Sequence, residues 1–478
     1  MGLKPLKGRY LRTAITSCTG TGFLLFGYDQ GVFGALIKNP NFQETFDHPS
    51  PMVIGQITAT YDLGCFFGAI LAMAYGDQVG RRLAILLGCL ILVIGAVLQT
   101  AAYSVPQMII GRFVAGLGNG INTTTIPVWQ TETSQPRHRG LLMVLQLALN
   151  QLGNVTAQWL NFGLGYIPTQ AVSWRFPIAF QIFYALATVA LLPWLPDSPR
   201  WLIQRGRNDE ARSVIARLHA RPVSSSEVEE LFNTIVASTE HELELSKASW
   251  LSLFRVRKDR LQTLKRVVLG AGTQFMQQWS GINVITYYLP IVFASLGLSR
   301  RLSLALSGCN AVNLMVSTCL GSLFIESVGR KKLMVWGALS QGICFALVAG
   351  GLGAGTTQWS IVAAAFVFAY YTTFGLTWIA VPWMYPAEVN TQQWRNRGAG
   401  IATATNWICN YAVVLVTPVG LDSIGWRYYI LYAVLNLVFV PVVHAFYVET
   451  ARLSLEQIDA FFEERYERAQ NHCVVSTT

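Results

Sequence analysis

Charged residues are sparse in this chain. They make up 13% of 478 residues, about half the share usual in a soluble globular domain. Acids are scarcer than bases, 25 against 35. None of the eight cysteines falls in a CxxC pattern. That excludes the common zinc and thiol-exchange motifs and leaves the cysteines as small buried apolar residues. No Gly-rich phosphate loop of the Walker type occurs, so ATP-driven chemistry is not expected. No cleavable leader is expected either: the basic start (Lys4, Lys7, Arg9, Arg12) runs directly into a full-length apolar stretch.

What is present is hydrophobic, at 52% of residues. Twelve apolar runs stand out, near 12–35, 53–75, 83–103, 106–129, 140–164, 175–195, 266–292, 302–325, 332–354, 357–386, 398–420 and 426–449. Each approaches the roughly 20 residues needed to cross a hydrocarbon core of about 30 Å. With the N-terminus in the cytoplasm, Lys38, Arg175, Arg300, Arg301 and Arg427 fall outside and Arg112 falls in the membrane. The other 29 of the 35 Lys and Arg fall inside, the asymmetry that orients membrane proteins. The net charge of +10 is therefore topological, and no nucleic-acid partner is expected.

The longest polar segment divides the chain. Residues 1–195 read as an N-terminal six-helix bundle, and 196–265 as a cytoplasmic loop with short amphipathic helices. Residues 266–449 read as a C-terminal six-helix bundle, and 450–478 as a cytoplasmic tail. The halves repeat one another. Asp77-x-x-Gly80-Arg81-Arg82 follows the second span and Glu326-x-x-Gly329-Arg330-Lys331 follows the eighth, each residue offset by 249. Glu132 with Arg139 and Glu388 with Arg395 share a seven-residue spacing. Parallel six-span repeats around a central site describe a secondary transporter with alternating access.

Two charges lie at membrane depth, Asp29 in the first span and Arg112 in the fourth. Such groups are expensive there and face a water-filled path or an ionic partner. A carboxylate beside a guanidinium, opposed by burial, is poised to load and release a proton; the alternative is a purely structural ion pair. Asp62, in the middle of the second span, is a second candidate for that proton role; the favoured alternative is a cavity-lining polar group with a hydrogen-bond partner. Span 7 carries Gln277, Gln278 and Asn283. Gln278 and Asn283 lie roughly 140° apart on a straight helix, so a break near Ser280-Gly281 is required to bring all three to one face.

These residues resemble the sugar porter branch of the major facilitator superfamily over about residues 12–450. The motifs that carry the likeness are Gly27 to Val32, Gly76 to Arg82, Pro196 to Leu202, Gln277 to Asn283, and Pro382-Trp383 with Glu388. Phe23 to Val32, Tyr61 to Cys65 and Ser173 to Pro177 look like its fungal part, which includes proton-coupled sugar, polyol and glycerol symporters. The resemblance implies an all-α membrane protein, twelve transmembrane helices in two pseudo-symmetric six-helix bundles. It also implies a secondary transporter rather than an enzyme. Proton coupling would rest on Asp29 and Arg112. Substrate binding would fall to Gln146, Gln277, Gln278, Asn283, Asn310, Trp383, Asn406 and Asn410. Tyr287 and Tyr288 would form an outer gate, their alternative being interfacial belt aromatics. Asp77, Gly80, Arg81, Glu132, Arg139, Arg200, Glu326, Arg330, Glu388 and Arg395 would form an inner gating network.

Two departures weaken a hexose assignment. Leu147 stands where many members carry a glutamine, with Gln146 beside it, and Asn310 and Asn313 flank the usual asparagine place of span 8. The partners expected are a sugar, polyol or glycerol, a proton and the lipid bilayer, with no cofactor or metal, in a protein functional as a monomer. The expected location is the plasma membrane with both termini cytoplasmic. Rival readings are a passive facilitator, a non-transporting sensor and a specialised-metabolite exporter. Family sensors carry long cytoplasmic tails, whereas about thirty residues follow span 12 here.

Overall fold

A computed structural model describes residues 6–135, 139–246, 253, 259, 261–453 and 455–475. Among these the chain is almost entirely helical, with no strand. The first bundle comprises α1 (Gly8–Leu36), α3 (Pro51–Val79), α4 (Arg81–Thr100), α5 (Val105–Thr133), α6 (Arg139–Leu164) and α7 (Val172–Leu191), with a short α2 (Pro40–Thr45) in the first loop. Three polar-segment helices follow, α8 (Pro199–Gln204), α9 (Asn208–His219) and α10 (Ser226–Ser246). The second bundle opens with a span in two pieces, α11 (Thr263–Trp279) and α12 (Ile282–Ser295). It continues through α13 (Arg300–Val328), α14 (Arg330–Ala354), α15 (Thr357–Thr377) with α16 (Val381–Val389), α17 (Arg395–Ile424) and α18 (Arg427–Phe446); α19 (Leu455–Val475) follows. Twelve spans in two sets of six result.

Among the described residues, eight segments are long and apolar enough by themselves to cross a membrane. The other four spans are α1, α5, α6 and the α11–α12 pair. They carry Asp29, Arg112 and most of the buried amides, which lowers their hydropathy, and α11 and α12 are each short. In lipid, a polar residue facing outward is costly, so these four helices turn their polar sides toward the protein interior.

Close helix approach depends on glycine. A Cβ at Gly27 would collide with the Asn150 carbonyl on α6, and one at Gly153 with the Leu24 carbonyl on α1. Small residues at crossings let backbones approach where apolar burial supplies no drive between helices. Each half has its own apolar core. Tyr287, Tyr288, Trp407 and Val414 are exceptions, because these second-half residues pack into the first-half core.

The start of α1, α19 and α8–α10 lie on one face, hereafter the terminal face. There Gly8 abuts Ala220, and Arg266 pairs with Asp459 of α19 at 2.5 Å. Arg212 bridges α9 and α10 through Glu229 at 3.0 Å and holds that carboxyl below the usual carboxylate range. The opposite face is the far face.

Candidate functional site

Between the bundles lies a cavity of about 190 Å³. Its walls come from the terminal-face halves of α5 and α6 and from the middle of the α11–α12 span. Gln146, Gln277, Gln278, Asn283, Trp383 and Asn406 line it, with Phe23, Phe26, Ile282 and Phe374 as apolar wall. The span 7 amides share this wall because the helix breaks. α11 ends at Trp279, and Gly281 adopts φ +94°, a left-handed conformation that L side chains resist. A Cβ there would also lie 2.7 Å from the Phe345 ring.

The amides are held before any solute arrives. Gln277 Nε2 donates to the Trp378 carbonyl at 3.0 Å, and its Oε1 accepts from Asn406 Nδ2 at 3.2 Å. Asn406 also donates to Gln274 Oε1 at 2.6 Å. Asn283 Nδ2 donates to Gln278 Oε1 and, at 2.6 Å, to Asn410 Oδ1. Opposite them, Gln146 Nε2 and Asn150 Nδ2 are buried with no hydrogen-bond partner. Unpaired buried donors cost about 1–3 kcal/mol each, and here both line the cavity, where an acceptor-rich solute would satisfy them.

Two expected contacts lie elsewhere. Asn410 does not line the cavity; it stands behind Asn283. Asn310 is fully buried and is tied to its surroundings through the Val367 carbonyl and Asn313. The sequence reading missed Gln30, Asn150, Gln151 and Asn154, which do line the cavity. A signal existed: Gln146, Asn150 and Asn154 recur at i, i+4 and i+8, one face of a helix.

Asp29 and Arg112 meet at 3.3 Å, and neither side chain is exposed at all. Arg112 also donates to the carbonyls of Ile57 (3.3 Å) and Thr58 (3.1 Å) on α3. Its guanidinium lies over the rings of Phe33 at 4.2 Å and Tyr61 at 4.4 Å. Asp29 Oδ2 has no partner.

Tyr287 and Tyr288 are wholly buried, not interfacial. The Tyr288 hydroxyl donates to the Val414 carbonyl at 2.9 Å, and the Tyr287 hydroxyl donates to Asp62 at 2.9 Å. Together with Phe33 they fill the space between the halves on the far face.

On the terminal face, each half carries its own charge cluster. Arg81 reaches Asp77 at 2.9 Å and grips Glu132 with two bonds of 3.1 Å. Arg330 reaches Glu326 at 2.6 Å and Glu388 at 2.8 Å. Gly80 and Gly329 start the following helices at φ +91° and +96°. The sequence reading missed the acids that cap these helices. Asp197 accepts from the Arg81 amide at 3.1 Å, and Glu449 accepts from the amides of Arg330 (2.7 Å) and Lys331 (3.1 Å). Carboxylates belong at helix N-termini, where the backbone donors are unpaired. Arg395 is not brought to Glu388: its Nε and Nη2 have no hydrogen-bond partner, and Glu388 is held by Arg330 and Thr450. Arg200 donates to Ser238 at 3.3 Å. The Arg139 side chain lies outside the described residues.

A family model described as sugar (and other) transporter matches residues 14–462. The MFS-type transporter oryC of Aspergillus oryzae is 42% identical over 96% of this chain and 86% of the relative. The sugar transporter STL1 of Saccharomyces cerevisiae is 40% identical over 98% and 85%. Among solved structures, the inward-open xylose transporter XylE of E. coli superposes with a TM-score of 0.77 at 23% identity, covering 94% of this chain and 99% of that one. A second XylE structure, described as a proton:xylose symporter bound to 6-bromo-6-deoxy-D-glucose, gives 0.76 at 24%, covering 95% and 99%. The chain is an integral membrane transporter that belongs to the sugar transporter family of the major facilitator superfamily.

Proposed function

We propose that this protein moves a polyhydroxylated solute, a sugar or polyol, together with a proton by alternating access. The observation that carries the reading is the fully buried Asp29–Arg112 pair near a cavity walled by amides. A sugar or polyol hydroxyl both donates and accepts, and so does a side-chain amide. The rings of Phe23, Phe26 and Trp383 offer apolar faces to C–H groups. Gln146 and Asn150 keep donors free for the solute.

The bias of Lys and Arg assigns the terminal face to the cytoplasm, and the cavity then belongs to an inward-facing state. In the outward-facing state Asp29 takes a proton from outside and the solute binds the amides. The halves then rock, and Arg112 favours the ionised acid as the proton leaves inward. The interhelical ion pairs around Arg81 and Arg330 bias the two states by a few kcal/mol at most. The similarity to a yeast protein named as a sugar transporter supports the solute class. The plasma membrane and a monomeric working unit complete the proposal.

The test is uptake of radiolabelled hexoses, pentoses, glycerol and other polyols into proteoliposomes, with and without an inward-acid gradient, wild type beside Asp29→Asn. One proton per solute limits accumulation to tenfold per pH unit. Gradient-dependent accumulation that vanishes in Asp29→Asn is expected. Equilibration indifferent to the gradient and retained in Asp29→Asn would refute coupling and identify a facilitator.

A further inference from the structure

Asp62 is the second carboxylate buried at membrane depth, and the transport scheme above does not use it. It sits on α3, in the first half, with no exposed surface. Its Oδ1 accepts from two helices of the other half: from the Tyr287 hydroxyl on α12 at 2.9 Å and from Asn410 Nδ2 on α17 at 3.0 Å. One carboxyl oxygen therefore ties the two bundles together at the place where the far face is closed. The same link runs to the cavity. Asn410 accepts from Asn283, and Asn283 donates in turn to Gln278, which lines the solute site.

Charge count gives this link a chemistry. The groups around Asp62 are Asp29 from α1, Tyr61 and Cys65 from α3, Arg112 from α5, and Tyr287 and Tyr288 from α12. They comprise two carboxylates and one guanidinium, none of the three exposed. Arg112 is committed to Asp29 and to the carbonyls of Ile57 and Thr58. With both acids ionised, the closed far face encloses one uncompensated negative charge, an arrangement that proteins avoid by neutralising the group. One proton removes it. Asp62 Oδ2 has no hydrogen-bond partner, so a proton there leaves both cross-half bonds to Oδ1 in place.

We propose that Asp62 is a second proton-binding site, distinct from Asp29, and that its protonation permits the far face to close. With the far face open, Asp62 is hydrated, ionised and in exchange with the solvent on that side. It takes a proton from that solvent, becomes a neutral acid and accepts from Tyr287 and Asn410 as the halves meet. It returns the proton to the same side on reopening, so it gates the cycle without adding to the transported charge. Solute at Gln278 and Asn283 orients Asn410 and so favours closure, which joins solute occupancy to the gate. The proposal rests on the reading of the chain as an alternating-access transporter.

Hydrogen–deuterium exchange of the intact protein in lipid nanodiscs tests it, between pH 5.5 and 8, with exchange times scaled for the intrinsic pH dependence of amide exchange. In wild type, protection of α12 and of the far-face end of α17 rises on acidification. Asp62→Asn mimics the protonated acid and is expected to stay protected at both pH values. Asp29→Asn leaves one carboxylate beside one guanidinium, so closure no longer needs a proton on Asp62, and its protection at pH 8 is expected to rise above wild type. Tyr287→Phe retains the acid but removes one bond, and moves the closing midpoint acidward by roughly 0.4–1 pH unit. A wild-type response in Asp62→Asn, or an unmoved midpoint in Tyr287→Phe, overturns the proposal. Solute accumulation in proteoliposomes separates the two readings: in Asp62→Asn uptake is slower, because the far face opens less, but still reaches the gradient-set level, whereas in Asp29→Asn accumulation is lost. Accumulation lost in Asp62→Asn would make Asp62 a carrier of the transported proton and overturn the gate. Accumulation kept in Asp29→Asn would refute Asp29 coupling while leaving the exchange result to stand alone.

Discussion

Removing Arg112 should be worse than removing Arg112 and Asp29 together. In Arg112→Leu, Asp29 stays fully buried without its cation, and breaking a buried pair from one side costs about 3–5 kcal/mol. Replacing Asp29 by Asn in the same protein removes the stranded charge. The two α3 carbonyls that Arg112 touches are not orphaned in either variant, because Ile57 and Thr58 lie inside α3 and keep their intrahelical bonds. What remains lost is the guanidinium stacked over Phe33 and Tyr61, about 0.5–2 kcal/mol per cation–π contact. The double variant should therefore recover roughly 1–3 kcal/mol of the single variant's loss. The assay is thermal unfolding in detergent followed by tryptophan fluorescence, with wild type, both single variants and the double compared in one buffer. The ordering of melting temperatures decides the matter. A double variant that melts at or below Arg112→Leu would refute the argument that the charge imbalance, rather than lost packing, carries the cost.

Four further outcomes follow from the geometry. Gln146→Ala and Asn150→Ala should each raise KM for the transported solute by about 2–12-fold, since each removes one free donor worth about 0.5–1.5 kcal/mol to the solute; unaltered KM in both would remove this wall from the solute site. Gly27→Ala should abolish folded protein in size-exclusion profiles, because its Cβ meets the Asn150 backbone, whereas Gly163→Ala, which meets nothing within 4 Å, should be neutral or slightly stabilising. Glu449→Ala should cost about 0.5–2 kcal/mol in the same melting assay, as loss of a helix cap does, and Arg395→Gln should cost less than Arg330→Gln, because Arg330 holds two carboxylates and Arg395 none.

Much of the site was legible before the structure because charge and amide groups stand out against apolar spans. Asp29 and Arg112 needed only their depth to be matched, and the break at Ser280-Gly281 followed from helical geometry once Gln277, Gln278 and Asn283 were expected to share a face. The stripe Gln146, Asn150 and Asn154 was legible in principle but competed with many other polar residues on α6. Asp197 and Glu449 were not, since their partners are backbone amides 116 and 119 residues away, and an amide carries no sequence signature. Asn410 shows the converse: its spacing from Asn406 suggests a shared role, yet one turn of helix moves it from the cavity wall to the cross-half link.

The sequence by itself determined the number of spans, the doubled architecture and the presence of a buried acid–base pair. Those features are set by local hydropathy and by the cost of charge in hydrocarbon, which every residue carries with it. Only the tertiary structure decided which half each contact joins. Asp62 and Tyr287 are 225 residues apart, and Asp62 and Asn410 are 348 apart. Their meeting depends on how two separately cored bundles dock, and no local pattern encodes that docking.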